Sequence, residues 1–196
     1  MVFPIEIKTK SFGGMTDRQF ERFCIENEPL NFERNSKGEI IVMPPTSTNI
    51  EFWNNDVSSE LNLWNRKSKL GFTFGNNAGF KLSNGAIKSP DAAFVSKARI
   101  SELAPHQKKG FYQVCPDFVI EILSDSDSLP QLKEKMKEWI DNGCILAWLI
   151  NPQKKKTTIY RANEKTEEVS FHTILSGENL LPNFKINLKD IFDQEI

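Results

Sequence analysis

Apolar residues recur along this chain with two periods, and the switches between them predict its elements. Phe20, Phe23 and Cys24 are spaced along one face of a short helix. A capping box, Thr16-Asp17-Arg18-Gln19, opens that helix, which runs to about Glu26. Alternation then takes over. Asn31 to Glu33 and Glu39 to Met43 predict a hairpin around a turn at Ser36 to Gly38. After a proline-containing loop ending in good N-cap residues, Trp53, Val57, Leu61 and Trp64 return to helical spacing. They predict a long helix from Ile50 to Lys69, ended by Gly71. Phe72 to Phe74 and Gly79 to Leu82 predict strands, Asn84-Gly85 a tight hairpin turn, and Pro90 to Val95 a strand entered through a proline. A polar helical insert, Lys97 to Lys109, follows.

The second half is more apolar. Phe118 to Leu123 is apolar on both faces apart from Glu121, the pattern of a strand buried on both sides. Leu129 to Asn142 is an amphipathic helix closed by Gly143, and Ile145 to Ile150 is a wholly apolar strand. Together they predict a strand–helix–strand crossover. Thr157 to Arg161 and Val169 to His172 are outer strands. With an antiparallel meander before the crossover, the order predicts an α/β or α+β fold around a mixed sheet, in one domain spanning residues 1–196.

Charge narrows the function classes. Lys and Arg number 25 against 26 Asp and Glu, a formal net charge of −1. Nothing draws the whole molecule to nucleic acid, so any such contact has to be local. Three cysteines at wide spacings, Cys24, Cys115 and Cys144, fit reduced thiols better than a disulfide framework or a zinc site. There is no apolar run of membrane-spanning length and no leader pattern in Met1 to Ile7, so a cytoplasmic protein is expected.

Two carboxylates interrupt apolar strands. Asp91 opens Asp91-Ala92-Ala93-Phe94-Val95, and Glu121 sits inside Phe118 to Leu123. A carboxylate in such a strand is costly unless it is paired or binds a cation. Two acids brought together repel unless a proton or metal lies between them. Oxygen ligands of this kind suit Mg2+ or Mn2+, not zinc. The two histidines, His106 and His172, have no ligand spacing to a partner.

On the helix behind Glu121, Leu129, Leu132, Met136, Trp139 and Ile140 form a buried stripe, with Lys133 and Lys135 flanking it on opposite sides. Lys135 can lay its stem along the core edge and present its ammonium near the strand end. Plainer readings stand beside these. Asp91 could be a strand-start residue, and Lys135 a surface lysine paired with Glu138 or Asp141. Lys154 to Lys156 reads as a solvated hairpin tip, while Lys97, Arg99, Lys108 and Lys109 could flank a nucleic-acid groove.

The segments SPDAAFV, CPDFVIEILS, LKEKMKEWIDNGCILAWLINP and TTIYR, with GEIIVMPPTS, LNLWNRKSKLG and NAGFKLSNGAIKSPD before them in the same order, resemble the Uma2 (DUF820) family of the PD-(D/E)XK superfamily. The resemblance runs from about Met15 to Leu188. It implies a restriction-endonuclease-like core, a mixed central sheet flanked by helices, with an N-terminal hairpin and helix extension. It also implies Mg2+- or Mn2+-dependent hydrolysis of phosphodiester bonds in DNA, by a homodimer that cuts two strands with paired sites.

By that resemblance Asp91 is the first acid, Glu121 the second, and the Ile122 carbonyl helps to hold the ion. The superfamily's lysine stands two residues after the second acid, where this chain has Leu123. Lys135 of the following helix takes its role, with Lys133 as fallback. Asp56 or Glu60 could add an acid from the helix before the sheet. Ser124 could contact phosphate, or simply turn the chain before Asp125. Two other classes stay open: a non-catalytic module for nucleic acid or protein that keeps the fold, and a regulatory or toxin-like partner whose site binds metal without cleavage.

Overall fold

In the computed structural model, which describes residues 5–162 and 164–194, the chain builds two large sheets that meet at one cleft. Residues 1–4, part of the segment read above for a leader, lie outside the described residues. β1 (Ile5–Ile7) precedes α1 (Asp17–Glu26), where Thr16 and Gln19 close the expected capping box. The hairpin strands are β2 (Asn31–Arg34) and β3 (Ile40–Met43).

α2 (Thr48–Ser68) does not end at a glycine, as the sequence predicts. Lys69 takes the left-handed conformation, φ 55°, and its N–H donates to the Asn65 carbonyl at 2.7 Å. Gly71 instead begins β4 (Gly71–Gly75), where an added Cβ would sit 2.2 Å from the Val95 carbonyl oxygen. Close approach of the neighbouring strand, not helix termination, requires glycine there.

β5 (Phe80–Lys81) and β6 (Ile87–Lys88) flank the Asn84-Gly85 turn, and β7 is Ala92–Ser96. The polar insert divides into α3 (Lys97–Glu102) and a short 3-10 turn, Pro105–Lys108. Pro105 holds Ala104 extended, so the helix cannot run on. Then come β8 (Phe118–Ile122), α4 (Leu129–Asp141), β9 (Leu146–Asn151), β10 (Lys156–Arg161) and β11 (Glu167–Ser170). β12 (Leu175–Ser176), β13 (Lys185–Ile186) and α5 (Leu188–Phe192) follow the last element that the pattern predicts.

The larger sheet runs β11-β10-β9-β8-β7-β4. It is mixed, as expected: β8 and β9 are parallel from Phe118↔Leu146 to Ile122↔Ile150, with α4 as their crossover, and their other neighbours are antiparallel. The smaller sheet, β1-β3-β2-β6-β5, is antiparallel and packs on α1 through Phe20, Phe32, Ile40 and Ile87. Ser89 and Pro90 carry the chain from the end of β6 to Asp91, and so join the two sheets.

Strand alternation decides what each face meets. Phe118, Ile120 and Ile122 pack with Val57 and Leu61 of α2 and Leu188 of α5. Val119 points the other way, into Ala147, Leu149, Met136 and Trp139. Each such buried side chain contributes about 1.5–3 kcal/mol of transfer free energy. Glu121, two residues after Val119, shares its side and is thereby aimed at α4. No described helix is long and apolar enough to cross a membrane.

Candidate functional site

Two strands and one helix place the central groups. In the β7–β8 ladder Ala92 pairs with Ile120, and one further step of the same register sets Asp91 opposite Glu121. Asp91 accepts the Ile122 N–H at 2.6 Å, which ties it to the end of β8. On α4, Lys135 and Trp139 stand four residues apart and so share a face. Both converge on Glu121. The Trp139 Nε1–H donates to Glu121 Oε1 at 2.8 Å, and Lys135 Nζ lies 2.9 Å from Oε1 and 3.1 Å from Oε2.

A third carboxylate comes from the other sheet. Glu33 of β2 lies 2.8 Å from Lys135 Nζ, accepts the Ser89 N–H at 3.0 Å, and pairs with Lys88 at 3.2 Å. Lys88 reaches on to Glu138 of α4 at 3.5 Å. The Ser89 carbonyl accepts from Lys135 at 2.9 Å. Glu33, Lys88 and Glu121 are all buried. Every acceptor in this cluster therefore meets a donor, which is what allows so many charges to leave water together.

The sequence points to Asp91, Glu121 and Lys135, and these three do come together. The plainer reading of Lys135 as a surface lysine is set aside by its contacts. The other candidates part company. Lys133 is exposed and lies near Glu168, on the far flank of α4. Asp56 and Glu60 do not line the cleft; the α2 residues that do are Ile50 and Asn54, and the polar one, Asn54, is buried beside Asp91. Asp56 is two residues from Asn54 and Glu60 six, so helical geometry turns both away.

Ser124 lines the cleft, but its N–H and Oγ both donate to Asp127 Oδ2 at 2.8 Å, the plainer turn-forming role. Of the basic groups considered, Arg99 is committed to the Cys115 and Gly143 carbonyls and to Asp117. Lys155 and Lys156 pair with Asp193 and Glu168, as a solvated tip would. Glu33, Lys88 and Asn54 were not singled out by the sequence. A carboxylate beside Phe32 in a short hairpin strand carries no local sign of a partner on a helix a hundred residues away.

Electrostatics follow from this crowding. Burial pushes the Glu121 carboxyl well above the ordinary carboxylate range; Asp91 and Glu33 add to the shift and Lys135 opposes it. Burial likewise raises Asp91, against the Ile122 N–H and Lys135. Burial would push Glu33 up as well, but Lys135, Lys88 and the Ser89 N–H outweigh it and hold it at about 2. Burial alone would lower Lys135; Glu121 and Glu33 reverse that and hold it above its ordinary value. The geometry therefore favours the charged form of Lys135.

Among the described residues, no three or more His, Cys, Asp or Glu side chains stand at metal-holding separation. Mg2+ is commonly held by one or two carboxylates with water completing the shell. Asp91 and Glu121 supply two hard oxygen donors. Asn54 Oδ1, a buried acceptor without a hydrogen-bond partner, lines the same cleft. This donor set fits a hard divalent cation. The cleft itself measures about 1600 Å³, and its charged lining is four lysines against eleven carboxylates.

The model of the Uma2 family, described as "Putative restriction endonuclease", matches residues 17–189. No curated protein matches the chain. Among solved structures, a crystal structure from Anabaena variabilis, described as a "putative nuclease belonging to DUF820", superposes with a TM-score of 0.76 at 21% identity. That alignment covers 91% of this chain and 98% of the other, and it establishes a common fold. Matched over nearly its whole length, the chain belongs to the Uma2 family, whose restriction-endonuclease-like character agrees with an acid pair at the paired ends of two inner strands of a mixed sheet.

Proposed function

We propose that this chain hydrolyses phosphodiester bonds of nucleic acid, DNA in the first instance, with Mg2+ or Mn2+ held by Asp91 and Glu121. One observation carries the reading: the buried Glu121 and the half-buried Asp91 opposite it, an ammonium held by carboxylates and a buried amide oxygen without a partner among the described residues line one cleft. A bound divalent cation would supply a polarised water and charge neutralisation at the phosphate. Asn54 Oδ1 and the Ile122 carbonyl are the further oxygens on offer at that point.

Lys135 is held toward its charged form by the carboxylates around it. It orients water or a phosphate oxygen and offsets developing negative charge. Because the wall is acidic, a polyanion enters only with cations, so cleavage depends steeply on divalent concentration. Duplex cutting further implies two copies of the chain, a stoichiometry that sedimentation of the protein with and without DNA measures.

The decisive experiment is plasmid cleavage with Mg2+ or Mn2+ by the wild type beside Glu121→Ala. Nicking by the wild type and a loss of about a thousandfold or more in the variant are expected. Equal cleavage by both proteins defeats the assignment. The acidic lining also favours a second reading, a module that keeps the fold and takes a basic polypeptide segment. Binding of such a segment without any cleavage is its signature.

A further inference from the structure

Lys135 is a cation already lodged between carboxylates, so any divalent ion at Glu121 has to contend with it. An ammonium has three hydrogens. Here they are directed at Glu33, Glu121 and the Ser89 carbonyl, at 2.8, 2.9 and 2.9 Å. Glu121 has two oxygens; both lie within 3.1 Å of Lys135, and one also accepts from Trp139. When Glu121 turns an oxygen toward a metal ion, Lys135 loses much of that contact. What it keeps is a neutral carbonyl and Glu33.

We infer that Glu33 is a positioning residue that anchors the Lys135 ammonium, so that the Glu121 carboxylate is free to ligate a divalent cation. The inference rests on the metal-dependent reading above. Glu33 is suited to the task because it is itself held: Lys88 pairs with its Oε2, the oxygen away from Lys135, the Ser89 N–H donates to the Oε1 that faces Lys135, and Lys88 is steadied by Glu138. It belongs to the other sheet, so its position does not follow movements at the end of β8. Without it, Glu121 is the one carboxylate among the described residues still bonded to Lys135, and the ammonium competes with the metal for those oxygens.

Loss of a buried negative charge near the site would weaken cation binding by itself, whatever Lys135 does. A double-mutant cycle separates the two effects. Mn2+ affinity is measured by titration calorimetry on the full-length wild type, E33Q, K135M and E33Q/K135M, with thermal melting as a check on folding. The through-space effect acts in both backgrounds, while the part routed through Lys135 vanishes when Lys135 is absent. E33Q is expected to weaken Mn2+ binding about tenfold in the wild type and about twofold or less in K135M, a coupling within the usual range for contacting residues.

Equal weakening in both backgrounds, or none in the wild type, overturns the role of Glu33 and leaves the metal-dependent reading intact. Absence of Mn2+ binding by the wild type overturns both. If a variant does not fold, lysine acylation of the wild type read by mass spectrometry decides. With saturating Mn2+, Lys135 stays unmodified while the exposed Lys133 reacts; Lys135 reacting as fast as Lys133 overturns the inference.

Discussion

Two cations in this protein each gather several carboxylates, and they do opposite things. Arg161 at the end of β10 lies 2.9 Å from Glu167, 2.6 Å from Glu178 and 3.9 Å from Glu164. Those three partners are 39–61% exposed. Lys135 lies as close to Glu33 and Glu121, but these are 4–5% exposed. Water screens the first cluster and leaves it with a modest structural role, tying β10 to β11 and to the turn before β13. The second has left water, so its charges act on one another at full strength and on whatever enters the cleft. Burial and convergence at a strand end, rather than the number of charges, separate a brace from a candidate site.

Removing each cation tests that contrast most directly. Lys135→Ala leaves two buried carboxylates without their partner and is expected to cost about 3–5 kcal/mol of stability in urea unfolding. Arg161→Ala is expected to cost about 1 kcal/mol or less. Similar losses would erase the distinction.

A smaller effect is expected from acid. Glu33 is held at about 2 against an ordinary 4.5, so its pairings stabilise the fold fully above about pH 4.5 and are lost as pH falls toward 2. The melting temperature of the wild type should therefore exceed that of Glu33→Gln most at neutral pH, and the gap should close on acidification. A gap that widens as pH falls contradicts the ion pairs.

The smallest changes belong to residues that share type with the site but not place. Asp56→Ala, Glu60→Ala and Lys133→Ala are each expected to stay within about 0.5 kcal/mol of the wild type and to leave cleavage unchanged. A marked loss of nicking by any of them would move the site.

Those three substitutions also mark where the sequence ceases to be legible. The capping box at Thr16 and the apolar stripe of α4 are readable because the interacting residues lie within a few positions of one another. Asp91 and Glu121 are readable because an acid inside an apolar strand is anomalous wherever it occurs. Which residue of α2 faces them is not, because Trp53, Val57, Leu61 and Trp64 fix the apolar side of the helix but not which of its two flanks, Asn54's or Asp56's, about 200° apart, meets the acids. Glu33 and Lys88 acquire their meaning only when the smaller sheet folds against α4, a contact no local pattern encodes. The two-residue strands β12 and β13 and the single-turn helix α5 are too short to leave a period.

The Trp139 hydrogen bond to Glu121 has an optical consequence. Indole emission responds to charge beside the ring, and this indole is wholly buried with its N–H on one oxygen of the carboxylate proposed to hold a metal. Trp53, Trp64 and Trp148 pack in or against the core on the opposite face of the sheet and make no such bond. On the metal-dependent proposal, Trp139 is therefore a built-in fluorescent probe of occupancy at Glu121. A metal titration can be followed without a label, with Trp139→Phe as the silent control.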